Sequence, residues 1–207
     1  MGAFLARDNW RLPGRQSKVL ARLDDLQEAG NRNHVFEYAL CLAFLLPILF
    51  GVFAAARSQR MTTEASGLAH DLAHMYRQGV DFSSPTNRSV AMELARGRGL
   101  TLGTGSGTAI LSRVRLVGEA DCGHCANTGS TVFEQQIVIG SATAHVSDLG
   151  TPPVEQGTGM VRSWASDPAA RAHLSEHELK AGAPAWICEL WFPSPDQPEG
   201  VYVRAGE

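Results

Sequence analysis

An uncharged apolar run of 18 residues constrains this chain more than any other feature of its sequence. The run extends from Ala39 to Ala56, and Glu37 and Tyr38 stand directly before it. A helix of that length, rising about 1.5 Å per residue, reaches roughly 27 Å, close to the thickness of a bilayer's hydrocarbon core. We therefore predict one membrane-spanning helix, with membrane lipid around it, a short tail before it and about 150 residues after it.

The two parts of the chain differ in charge. Residues 1–78 carry 9 Lys or Arg and 7 Asp or Glu, whereas residues 79–207 carry 9 and 14. The acidic distal part argues against nucleic acid as a partner, because phosphate binding needs a basic face. Basic residues are denser before the apolar run than after it. The positive-inside rule therefore predicts a cytoplasmic N-terminus and an extracytoplasmic C-terminal part. We expect the membrane to be the inner (cytoplasmic) one.

A cleaved signal peptide is the alternative interpretation of the apolar run. Ala54 and Ala56 have the spacing of a cleavage site. The tail before the run and the length of the run both exceed what a signal peptide has. The sequence therefore favours a retained membrane anchor.

Helical periodicity is present on both sides of the apolar run. Residues 16–29 are predicted to form an amphipathic helix that ends at Gly30. A second helix is predicted over residues 35–78, kinked at Pro47, with one half in lipid and one half outside. The outer half has an apolar stripe at helical spacing, which consists of Met61, Ala65, Leu68, Leu72 and Met75. We predict that this stripe packs against other helices.

The distal part alternates strand signals with turns. A short helix is predicted over 87–96, then a glycine-rich loop over 97–108. Strands are predicted at 110–118, 132–139, 142–146, 185–192 and 201–204, with a helix from Asp167-Pro168 to about Leu179. Strands without alternating helices argue against a Rossmann or barrel enzyme. We predict an α+β chain in three parts: a tail (1–34), a long helix (35–78) and a small, mostly antiparallel sheet domain with short helices (79–207).

The segment FEYALCLAFLLPILFGVF, residues 36–53, resembles the opening of TadE-like pseudopilins of tight-adherence (Flp-type) pilus systems. In that family a Glu and an aromatic residue precede an aliphatic run that a Pro interrupts and a Gly closes. Glu37, Tyr38, Pro47 and Gly51 occupy those places here. The resemblance implies a pilin-like fold, a non-enzymatic role in pilus assembly, and other pilins, pseudopilins and the assembly machinery as partners.

The resemblance also implies roles for single residues. A carboxylate at the membrane edge is costly unless it is paired, and the family's Glu pairs with a neighbouring subunit to set the axial register. By resemblance, Glu37, with Tyr38, takes that assembly role if the tail is cut; if the tail is kept, Glu37 is expected to be solvated in the headgroup region. Family precursors are cut after a Gly five residues before the Glu, where this chain has Arg32, while Gly30 lies two residues earlier. The possible processing positions are therefore Gly30 and Arg32, and the tail is either cut or kept.

The motif Cys122-Gly-His-Cys125 is identical to the active-site motif of protein disulfide isomerases. That chemistry needs a thiolate of low pKa at a helix N-terminus, and here the motif lies between a strand and a turn. A structural disulfide within the pair, or from the pair to Cys188, is the favoured interpretation. A zinc site from these cysteines and His124 is disfavoured, because a second ligand pair at zinc spacing is missing.

Two histidine patterns and the glycine-rich loop carry no predicted chemistry. His173-Leu-Ser-Glu176-His177 matches a short metalloprotease pattern, but few residues follow it. His70 and His74 share a helix face and are predicted to be solvated. The glycine-rich loop lacks the Gly-Lys-Ser/Thr of a phosphate-binding loop. We predict no catalytic residue, no metal site and no cofactor.

Three functions stay open at this point. The first is a membrane-anchored, TadE-like minor pseudopilin that assembles through helix packing. The second is a single-pass anchored extracytoplasmic binding module with no pilus role. The third is a thiol–disulfide oxidoreductase that uses Cys122 and Cys125.

Overall fold

The computed structural model describes residues 15–207 except 104–105, 175–178, 180–182 and 195–196, and it omits the side chains of 15–36, 58, 197 and 198. The chain divides into two compact units, Met1–Ala54 and Ala55–Glu207. The order of elements is one long helix and then a four-stranded antiparallel sheet, which confirms the α+β prediction.

Helix α1 spans Arg15–Arg77, a length of 63 residues. The predicted end of a first helix at Gly30 is wrong, because the helix continues through this residue and through Pro47. A single glycine costs a helix only about 1 kcal/mol, which its neighbours in a long helix offset. The predicted helix over 35–78 is confirmed to within one residue at its C-terminal end.

Within the second unit, the apolar stripe of α1 is buried against the sheet. Ala65, Leu68 and Leu72 are fully buried, and Met61 and Met75 pack against the same cluster. Their partners on the sheet are Ala109, Leu111, Ile137, Ile139, Cys188, Leu190 and Phe192. The stripe was predicted correctly, but its predicted use in packing against other subunits is wrong, because its own domain covers it.

Helix α2, Pro85–Gly97, closes the other side of this core through Ala91 and Ala95, and it confirms the predicted short helix. Arg98, at its C-terminal end, contacts Asp71 at 2.5 Å and Glu64 at 3.5 Å on α1. A Cβ at Gly67 would lie 2.7 Å from the Arg98 guanidinium. Because Gly67 has no side chain, the guanidinium of Arg98 has room to lie against α1 at this position.

The sheet has the strand order β2-β1-β3-β4, with every pair antiparallel. The strands are β1 Thr108–Leu116, β2 Thr131–Gly140, β3 Pro184–Ser194 and β4 Gln197–Gly206. Four of the five predicted strands are thus present. Side chains alternate between the two faces of the sheet: odd positions of β1, such as Leu111, and even positions of β3, such as Cys188, face α1, and the even positions of β1 face away.

Residues 141–174 cover the second face of the sheet without a long element of their own. The predicted strand at 142–146 is wrong: residues 142–144 form a turn, closed by a hydrogen bond from the Ala144 amide to the Ser141 carbonyl. The predicted helix from Pro168 is only a 3-10 turn, Pro168–Ala170, although Asp167 caps it as expected. The next residues pair with β2 instead, through the Ala172 amide and the Thr131 carbonyl.

Candidate functional site

The candidate site is the exposed apolar segment of α1, residues 37–54 in the first unit. Every one of its residues is exposed, including Leu46 at 47% and Phe50 and Phe53 at 71%. The segment lies in a stretch with a mean hydropathy of 2.5 over 18 residues, long and apolar enough to cross a membrane. Exposing so much contiguous apolar surface to water is unfavourable, at about 25 cal/mol per Å². The chemistry of the segment therefore suits lipid or another apolar helix.

The residues predicted to act in assembly lie at the start of this segment, and the predicted processing positions lie before it. Glu37 and Tyr38 are adjacent on α1, and the Tyr38 side chain is 70% exposed. Gly30 and Arg32 lie one to two turns earlier in the same helix, where only the backbone is described. The helix thus places Gly30 and Arg32 shortly before the segment and Glu37 and Tyr38 at its start.

The cysteine motif forms a disulfide between Cys122 and Cys125. The motif lies in turns between β1 and β2, and the Thr128 hydroxyl donates to both cysteine carbonyls, at 3.1 and 2.9 Å. Since no helix begins at the motif, the dipole that stabilises a catalytic thiolate is missing. The geometry is therefore that of a structural disulfide that crosslinks the turn.

Cys188 does not join that disulfide. Its thiol is fully buried in β3 among the side chains that face α1. Burial, and secondarily the charge of Glu189, raise the pKa of this thiol far above its ordinary value. Cys188 is therefore an apolar core residue at physiological pH.

Two polar residues that sequence reasoning missed fix the loops on the sheet. Asn127 is fully buried, donates to the carbonyls of Trp164 and Asp167 at 2.7 and 2.6 Å, and accepts from Arg171. Glu189 is 1% exposed at the centre of β3. The sequence contains one signal for Glu189, namely that it is a charged residue inside an otherwise apolar strand. It contains no signal for the burial of Asn127.

Histidines on α1 meet an acidic side chain rather than solvent alone. His70 and His74 place Nδ1 at 3.5 and 3.9 Å from a carboxylate oxygen of Glu207, and Arg77 binds its other oxygen at 2.6 Å. The bond from Arg77 lowers the pKa of Glu207. Among the described residues, no group of three or more His, Cys, Asp or Glu is arranged to hold a metal ion. Glu176 and His177 of the other histidine pattern lie outside the described residues.

No family model, curated protein or solved structure matches this chain.

The disulfide makes a testable contribution of modest size. Replacing Cys122 and Cys125 by serine removes a short cross-link, and loop-closure entropy gives an expected loss of about 1–2 kcal/mol in the free energy of unfolding. Thermal melting followed by tryptophan fluorescence measures this loss, with Cys41→Ser as the control that leaves the melting temperature unchanged. Rapid exchange of the reduced pair with a model disulfide would contradict the structural interpretation.

Proposed function

We propose that the chain is a membrane-anchored, TadE-like minor pseudopilin that takes part in assembling a tight-adherence type pilus. The observation that carries this proposal is the contrast within α1. Residues 37–54 are exposed and apolar, whereas the stripe of residues 61–75 is buried in the chain's own domain. Only the first of these surfaces is available to other helices, so assembly takes place through the membrane segment.

The N-terminus lies in the cytoplasm and the sheet domain lies outside it, at an inner membrane. This orientation is supported by Arg15, Lys18, Arg22 and Arg32 before the segment, against Arg57 and Arg60 shortly after it. The disulfide supports an oxidising compartment for the sheet domain.

Lipid tails are as apolar as leucine, so the hydrophobic effect does not drive helices together within the membrane. Helix packing there depends instead on small residues, which allow two helix backbones to approach closely. On the apolar segment, Ala39, Ala43 and Gly51 recur at multiples of four residues and lie on one side of the helix, and Leu45 and Val52 lie on the opposite side. We assign the packing side of the segment to the small residues.

Glu37 sets the register of that packing. At the edge of the bilayer its carboxylate binds a cationic group of a neighbouring subunit, and Tyr38 lies at headgroup depth, where aromatic rings are favoured. If the tail is cut at Gly30 or Arg32, the new amino terminus supplies such a cation. The intact mass of the membrane-extracted protein distinguishes a cut chain from a full-length one.

The assembly proposal predicts a difference between two bulky substitutions. Ala43→Phe is expected to reduce the crosslinked assembly in native membranes about tenfold, since a loss of about 1–2 kcal/mol per interface is typical for such contacts. Leu45→Phe is the matched control on the opposite side and is expected to leave assembly unchanged. Equal effects of both variants, or no effect of either, would contradict packing through this side.

A single-pass anchored binding module without a pilus role is the second candidate. The covered stripe of α1 favours it, because the sheet unit encloses its own core and needs no partner helix above the membrane. This candidate predicts no side-specific packing of residues 37–54, so the same pair of variants decides between the two. A thiol–disulfide oxidoreductase has no comparable support, given the turn around Cys122 and Cys125.

A further inference from the structure

The two edges of the sheet differ in how their backbone groups are satisfied. At the β2 edge, the Gln136 amide donates to the Gly159 carbonyl at 2.8 Å, and the Val161 amide donates to the Glu134 carbonyl at 3.0 Å. Residues 159–161 thus cover this edge. At the other edge β4 pairs only with β3 in the part of the chain that the structure describes.

The register of β4 shows which of its groups face outward. Trp186 and Glu207 exchange both backbone hydrogen bonds, at 3.1 and 2.9 Å. In an antiparallel pair, such hydrogen-bonded pairs alternate with pairs whose amide and carbonyl groups point away from the partner strand. The outward-facing backbone donors and acceptors at the open edge therefore belong to three alternate residues, Tyr202, Arg204 and Gly206.

A cavity of about 360 Å³ lies beside this edge. Its apolar wall consists of Leu174, Leu179, Ala185 and Ile187. Arg204, Gly206 and Glu207 also line it, and the carboxylate of Glu207 is paired with Arg77 at 2.6 Å. An additional strand at this edge would place alternate side chains on the cavity's face of the sheet. The cavity is large enough for one branched aliphatic side chain.

We propose that the β4 edge binds an extended, acidic segment of a partner protein by strand addition. The backbone of the segment pairs with Tyr202, Arg204 and Gly206. An aliphatic side chain fills the cavity next to Gly206, and a carboxylate faces Arg204. Arg204 is exposed, and it makes no ion pair among the described residues. Strand addition at this edge is independent of the packing of α1.

Charge argues against a second copy of this chain as the occupant. Arg204 is the middle one of the three outward residues, so antiparallel pairing of two β4 edges about their centre would place Arg204 opposite Arg204. Like charges directly opposite each other destabilise a strand pair. A segment with Glu or Asp at that place gains a charge-assisted contact instead.

The test uses the full-length protein in detergent micelles and the peptide acetyl-Ser-Leu-Thr-Glu-Thr-Leu-Ser-amide as the probe. Its Leu, Glu and Leu share one face in either direction of pairing. Two control peptides carry Lys in place of Glu, or N-methyl groups on alternate amides, which block pairing. We expect the acidic peptide to bind, and each control peptide to bind at least about tenfold more weakly, as measured by isothermal titration calorimetry.

Two protein variants locate the binding. Arg204→Pro removes one outward amide while leaving the bonds to β3 in place, and it is expected to weaken binding about tenfold. Arg204→Glu is expected to bind the Lys peptide more tightly than the acidic peptide. This reversal tests the proposal independently if the proline variant fails to fold. The proposal is overturned if the acidic peptide does not bind at about 1 mM, or if the N-methylated peptide binds equally well.

Discussion

Replacing Leu46 and Leu49 together by arginine is expected to release the chain from the membrane. Both side chains lie near the middle of the exposed apolar segment. Each arginine at the centre of a spanning helix costs about 2.5–3.5 kcal/mol on insertion scales, so the pair costs roughly 5–7 kcal/mol. That loss exceeds what the remaining leucines and phenylalanines of the segment supply, at about 0.3–0.6 kcal/mol each.

Alkaline extraction of membranes measures this effect as the share of the protein that stays in the pellet. The matched control adds two arginines on exposed positions of α2, Thr86→Arg and Val90→Arg, and it is expected to stay in the membrane fraction. Retention of the Leu46/Leu49 variant in the pellet would contradict a membrane location of the segment.

Replacing Glu189 by alanine is expected to cause the largest loss of folding stability. Its carboxylate is buried and accepts three hydrogen bonds: from the Ser147 hydroxyl, from the Asp148 amide at 3.0 Å and from the Tyr202 hydroxyl at 2.8 Å. Hydrogen bonds to a charged group contribute more than neutral ones, and the substitution also leaves the donors without a partner. We expect a loss of about 3–5 kcal/mol in the free energy of unfolding.

The side chain of Tyr202 gives the matched comparison for this prediction. Burial, and secondarily the hydrogen bond to Glu189, raise the pKa of its hydroxyl above the ordinary value, so it stays a donor at physiological pH. Tyr202→Phe removes one donor and is expected to cost about 1 kcal/mol. Urea unfolding of the full chain in micelles measures both variants, and equal losses from both would contradict the central role of the carboxylate.

Local pattern was sufficient for most of the elements. Strands β1 and β2 were predicted to within two residues, because both segments are rich in apolar and β-branched residues that partly alternate with polar ones. Helix α1 was predictable from the apolar run and the stripe behind it. Neither pattern showed that the stripe is covered by the chain's own sheet, because periodicity identifies an apolar face but not its partner.

The errors occur where long-range contacts decide the conformation. Residues 171–173 follow a good helix cap, yet they extend along β2 and Leu149, since the Ala172 and His173 amides find carbonyl partners there. Residues 145–149 return to the sheet because Glu189 binds Ser147 and Asp148. These contacts join residues about 40 positions apart in the chain, and a local window does not contain them.

Crosslinking of single cysteines in native membranes tests the account of helix packing most directly. Native Cys41 lies on the side of α1 away from Ala39 and Ala43. In a Cys41→Ser background, Ala43→Cys is expected to form a disulfide with Ala43→Cys of a second copy of the chain under mild oxidation, whereas Cys41 of two native copies forms few. Equal crosslinking at both positions, or none at either, would contradict side-specific packing of residues 37–54 and leave the segment as a plain anchor.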